Sequence, residues 1–160
     1  MGIHLAPMSA SEFLALYDWR VDDYAKDLVR LGDSKPEDSV EKSREEIKRL
    51  LPQGQETPNH HFEKIMSEPG GSRVGDVWFA VEDRPFGKEV FVYWLWIDEP
   101  HRRQGYATAT LQWLEEMGRR EGAHRLSLSV FGYNQEARSL YDRLGFVPTV
   151  ISLAKSLTPE

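Results

Sequence analysis

The 160-residue chain contains no cysteine, which excludes disulfides, thiolate catalysis and zinc–cysteine centres. No apolar run approaches the roughly 20 residues that a membrane-spanning helix needs. The start, Met1 to Pro7, lacks the charged head and long apolar stretch of a signal peptide, so a cytoplasmic protein with no membrane contact is expected. Basic charge is also short: 26 acidic residues outnumber 20 basic ones, a net charge of −6. Nucleic-acid binding calls for a basic face, and no nucleic-acid partner is expected. The five histidines are scattered, and the adjacent His60 and His61 would point to opposite sides of a strand. Without cysteine they make no ligand set, so no metal is expected. Repeats and low-complexity tracts are missing as well.

What is there suits one globular domain over residues 1–160, at 40% hydrophobic and 29% charged residues. Residues 1–69 hold 14 acidic and 9 basic side chains, against 12 and 11 in residues 70–160. An acidic N-terminal part fits a cationic partner or simply a solvated helix surface.

Periodicity orders the chain. Gly2 to Met8 reads as a short strand, followed by Ser9 or Ser11 as a helix cap. Phe13, Leu16, Tyr17, Tyr24, Leu28 and Leu31 recur at helical spacing, with Gly32 at the end. Pro36 to Leu51 predicts a second helix with an exposed, charge-paired face. Gln53 to Asn59 reads as loop. Strands are predicted at His60–Ser67, Arg73–Val81 and Glu89–Ile97, separated by turn signals at 68–71 and 83–88. The third is almost wholly aromatic or β-branched. Strict alternation would place Phe91, Tyr93, Leu95 and Ile97 on one face, and Trp94 and Trp96 on the other. A helix over Ala107–Glu121, a strand over His124–Phe131, a short helix over Asn134–Leu144 and a final strand over Phe146–Ser156 complete a mixed α/β order.

Arg102-Arg103-Gln104-Gly105-Tyr106-Ala107-Thr108 joins a strand to a helix. The first N–H groups of a helix have no partner within it, and the helix dipole adds partial positive charge. Such an end suits a pyrophosphate, and Gly105 leaves room for close backbone approach. Most glycine-bearing turns are merely turns, so the loop alone decides little.

Three features stand together: Arg102-x-x-Gly105-x-Ala107 at that turn, Asn134-x-x-Ala137-x-x-x-Tyr141 on a short helix, and Gly145-Phe146 opening the last strand. In this order the chain resembles the GNAT superfamily of N-acetyltransferases, closely over residues 60–156 and by element order before that. The resemblance implies a GNAT-like acyl-CoA-binding fold, with about six to seven mostly antiparallel strands, a splayed central parallel pair and about four flanking helices. It implies acetyl-CoA as co-substrate and a small-molecule or peptide amine as acceptor. Direct attack would take place in a ternary complex. Homodimers are common in the family. The pantetheine arm would pair with backbone at Leu95, Trp96 and Ile97, as a strand adds to an edge. The pyrophosphate would sit on N–H groups of Arg103, Gln104, Gly105, Tyr106, Ala107 and Thr108.

Asn134 reads both as a helix cap and as a pantetheine contact, and the two are compatible. Tyr141, two helical turns after Asn134, is a core aromatic on pattern alone. The resemblance makes it the general acid that protonates the departing CoA thiolate. Several family members carry a glutamate on the fourth strand as base, but the matching position here is Phe91. Asp76, Asp98, Glu99 and Tyr93 are the remaining candidates. Asp18, Asp22, Asp23 and Asp27 on the first helix would either attract a protonated amine or face solvent. The missing carboxylate at Phe91 also keeps open a non-catalytic acyl-CoA sensor or partner-binding module. A further alternative is an enzyme of O-acyl or longer-acyl transfer.

Overall fold

Apolar density sets the centre of the sheet. In the computed structural model, which describes residues 2–159, five strands form: β1 (Gly2–Pro7), β2 (His60–Glu68), β3 (Arg73–Arg84), β4 (Gly87–Ile97) and β5 (Arg125–Leu128). They lie in chain order across the sheet. The first four run antiparallel, and β5 runs parallel to β4. β3 is buried continuously from Val74 to Ala80, as a strand covered on both faces must be.

Four helices flank these strands in the sequence: α1 (Ala10–Arg30), α2 (Ser39–Leu50), α3 (Tyr106–Arg120) and α4 (Gln135–Arg143). Ser9 caps α1 in a reciprocal capping box with Glu12. The predicted apolar stripe of this helix is corrected at its end: Leu31 is exposed, while Val21 and Ala25 are buried. Leu31 is the C-cap, where the chain leaves the helical path. Phe13, Val21 and Ile47 from α1 and α2 pack with Phe62 and Trp78 in one core cluster. On the other sheet face, Gly118 of α3 approaches Val90 so closely that a Cβ there would lie 3.2 Å from its methyl carbon.

Strict alternation fails on β4, and this matters for the site. Trp78 pairs with Trp94 but Phe79 pairs with Val92, which leaves Tyr93 as the extra residue of a β-bulge. Tyr93 and Trp94 therefore both pack against the α1–α2 cluster. The expected grouping of Tyr93 with Leu95 and Ile97 is corrected accordingly.

The chain divides into two compact units, residues 1–128 and 129–160. The second holds α4, and its segment 146–159 has no regular structure. The predicted strand over Phe146–Ser156 is thus not formed, and β5 is shorter than the predicted His124–Phe131. A strand exists by pairing. Among the described residues no strand pairs beyond β5, and Pro148 removes one of the donors such a ladder would use.

Candidate functional site

The parallel pairing of β4 with β5 ends at Val92 opposite Leu128, while β4 runs on to Ile97. Over Trp94 to Ile97, β4 keeps its antiparallel partner β3 on one side and, among the described residues, has no strand partner on the other. That edge offers backbone groups to an amide-bearing chain. Leu95, Trp96 and Ile97 all lie on it. Its end is partly occupied: Arg102 Nε donates to the Ile97 carbonyl at 2.8 Å, and the Arg102 guanidinium lies over the Trp96 ring at 4.4 Å. Arg102 thereby ties the loop to the strand it leaves.

The loop then turns through two left-handed residues, Arg103 (φ 61°) and Gly105 (φ 87°). Gly105 is the N-cap of α3, and no heavy atom lies within 4 Å of where its Cβ would be. Glycine is needed there for conformation and leaves the approach open. The first helical bond is that of Ala109 N–H to Gly105 O at 2.9 Å. The N–H groups of Tyr106, Ala107 and Thr108 precede it and are unused by the helix. Alternating left-handed residues ahead of a helix form a concavity suited to an anion. Gln104 reaches back to the Pro100 carbonyl at 3.2 Å, so its side chain braces the turn.

On the opposite face a cleft of about 360 Å³ opens between α1 and the strands. Trp19, Trp94 and Trp96 wall it. Trp19 lies 5.0 Å from Trp94 and 4.9 Å from Trp96, and the latter two stack at 5.5 Å. Acidic groups join them: Glu12, Asp76 and Asp98, with Lys64 and Arg73 as partners. Arg73 bonds Asp76 in bidentate fashion and also Asp98 at 2.6 Å. Asp76 is only 7% exposed. Burial pushes its carboxyl up, against the pull of Arg73. Glu12 is held down at about 2 by the Ser9 N–H and by Lys64.

These positions sort the candidate bases. Asp76 and Asp98 line the cleft, whereas Glu99 sits in a 3-10 turn outside it. Tyr93 donates to Glu82 at 3.0 Å, and burial together with that carboxylate lifts its phenol to about 12. None of Asp18, Asp22, Asp23 and Asp27 lines the cleft. Asp23 instead pairs with Arg20 at 3.5 Å. Pattern reading missed Trp19, Lys64 and Arg73 as site residues, because nothing local marks a helix tryptophan or a strand-edge cation as facing a cleft.

In the second unit, Asn134 Oδ1 accepts from the Ala137 N–H at 3.2 Å, so its role as N-cap of α4 is real. Tyr141 packs edge-on against Phe146 at 5.6 Å. Burial pushes its phenol up.

The Acetyltransferase (GNAT) family profile matches residues 13–146. This chain belongs to the GNAT acetyltransferase family. Among relatives, it is 36% identical to the uncharacterized N-acetyltransferase YycN of Bacillus subtilis, covering 98% of this chain and all of that one. It is 33% identical to the uncharacterized N-acetyltransferase YdgE of the same organism, over 98% and 99% of the two chains. The crystal structure of YycN superposes with a TM-score of 0.89, covering 98% of this chain and 99% of that one. A protein of solved structure from Pyrococcus furiosus, at 19% identity and a TM-score of 0.62 over 97% and 99%, shares the fold.

The one glutamate carried by β4 is Glu89. It is 3% exposed and bound by Ser127, Arg125 and Arg84. Burial alone would raise its carboxyl, but those hydrogen bonds outweigh it and hold the group below its usual value. Glu89 fastens β4 to β5 and is spoken for. Among the described residues no group of His, Asp and Glu is placed to hold a metal ion, and no helix is long and apolar enough to cross a membrane.

Proposed function

We propose that this GNAT protein is an acetyl-CoA-dependent N-acetyltransferase of the cytoplasm, acting as one domain over residues 1–160. It transfers acetyl directly to a primary amine in a ternary complex. The observation that carries the reading is the backbone edge of β4 beyond Val92, leading straight into a left-handed loop at the start of α3. Such an edge can pair with the amides of pantetheine, and the turn can hold a diphosphate on main-chain N–H groups.

In the reaction the neutral amine attacks the thioester carbonyl carbon. A C–N bond forms, and negative charge gathers on the carbonyl oxygen, for which a β4 N–H near Ile97 is the donor. The C–S bond then breaks, and the thiolate takes the phenolic proton of Tyr141. Burial raises the proton affinity of that phenol, so the hydroxyl is protonated at neutral pH, as an ordinary tyrosine's is. The ammonium proton leaves through water to Asp76 or Asp98, the carboxylates of the cleft.

The test combines two measurements. Acetyl-CoA should raise the melting temperature by ligand linkage, and free thiol should appear when amines are added. A thermal shift with no amine ever consumed would leave an acyl-CoA sensor. No shift at all would sink the donor site.

A further inference from the structure

The cleft beside β4 has a composition that names its occupant. It belongs to the first unit alone, and its volume suits a small organic molecule. Three indole rings within 5.5 Å of one another form its apolar part. Trp19 remains 41% exposed although its neighbours are aromatic. A large apolar surface left half open at the mouth of a cavity marks a contact surface more than a core.

The charges point the same way. Glu12, Asp76 and Asp98 face Lys64 and Arg73, an excess of one negative charge. Each cation is already committed: Lys64 to Glu12 at 3.0 Å, and Arg73 to two carboxylates at once. An anionic ligand finds no free partner among these groups. An ammonium finds a carboxylate pair sharing a single guanidinium, in a cleft that also holds the half-exposed Trp19 ring. Polyhydroxylated amino sugars need many polar partners, and linear polyamines need carboxylates spaced along their length. The five charged groups on these walls are all paired with one another and the rest of the lining is apolar, which leaves few free partners for either.

Building on the acetyltransferase reading above, we infer that the acceptor is a primary amine on a flat aromatic or apolar body. The body lies against Trp19, Trp94 and Trp96, and the amine is delivered to Asp76 and Asp98. Trp19 is a specificity-determining contact, with no part in the chemistry.

The experiment titrates the purified full-length protein with 2-phenylethylamine, spermidine and kanamycin. Binding is followed by tryptophan fluorescence, and turnover by thiol release from acetyl-CoA. 2-Phenylethylamine should quench the fluorescence and give a kcat/KM at least roughly tenfold above the other two, the scale of one aromatic contact. Trp19→Ala should raise its KM roughly tenfold with kcat little changed. The same variant should keep the thermal shift produced by acetyl-CoA, which shows that it folds and retains the donor site. Preference for spermidine or kanamycin, or a Trp19→Ala variant with unaltered KM, would overturn the substrate class and leave the acetyltransferase reading intact. Failure of acetyl-CoA to bind would instead strike that underlying reading, and quenching by 2-phenylethylamine would still test the cleft on its own.

Discussion

Tyr141 concentrates the chemistry of the proposal in one hydroxyl. Tyr141→Phe removes the proton and little else, because the ring keeps its edge-on contact with Phe146. The expected result is a fall in kcat of more than about tenfold, with acetyl-CoA affinity nearly unchanged. Burial raises the phenol above its ordinary value near 10, so the acid form is lost only at higher pH than for a free tyrosine. Any alkaline decline of the kcat–pH profile attributable to this group should therefore come at higher pH than an ordinary tyrosine would give. A decline starting near pH 8 would assign the acid to another residue. Glu12 gives a second test. Its folded value of about 2 lies below the ordinary 4.5, so its stabilising contribution is complete above pH 4.5 and lost as pH falls toward 2. The difference in melting temperature between the native protein and Glu12→Ala should be widest near neutrality and narrow across that window. The left-handed turn at Gly105 was legible because its surroundings in sequence mark a strand-to-helix junction. Arg73 was not, since its value comes from meeting Asp98 across the sheet.

At the scale of elements, most of the fold was readable from periodicity. α1, α2, α3 and the antiparallel run of strands stand within a few residues of their predicted bounds. The face assignment on β4 was not readable. A bulge inserts one residue and shifts everything beyond it to the opposite side, and nothing in Val92-Tyr93-Trp94 announces it. The consequence is functional: the shift turns Trp94 and Trp96 toward α1, where Trp19 meets them. Gly75 secures the same region. A Cβ there would lie 2.0 Å from the Trp96 carbonyl oxygen and 3.1 Å from the Ile97 Cα. This is backbone, which cannot swing aside. Gly75→Ala should cost about 1–3 kcal/mol or more, and lower the melting temperature by ~2–4 °C for each kcal/mol in a chain of this length. It should also push the Trp96 segment outward and raise KM for both substrates. Calorimetry and steady-state kinetics on the one variant check both parts. An unchanged melting temperature would mean that β3 and β4 are less tightly joined at this point than the structure requires.

For the whole molecule, the resemblance in three short motifs foretold the family that the profile match and the YycN relationship establish. It overstated one feature, the last strand. Residues 146–156 carry the apolar spacing of a strand, yet Val147, Val150, Ile151 and Leu153 stand 70–89% exposed. Pattern reading registers what a segment could bury and is blind to whether a partner edge is available to it. This difference has a measurable outcome. Backbone amides without a ladder exchange as in an unstructured peptide, while those in the sheet centre await global unfolding. Hydrogen exchange should find Val77 to Ala80 among the slowest amides and residues 149–157 among the fastest. Slow exchange in 149–157 would mean that the segment is hydrogen-bonded in solution, and its concentration dependence would then separate pairing within the chain from pairing between two copies. A strand recruited from a second copy becomes better protected as protein concentration rises, whereas one folded back on its own chain does not respond to dilution.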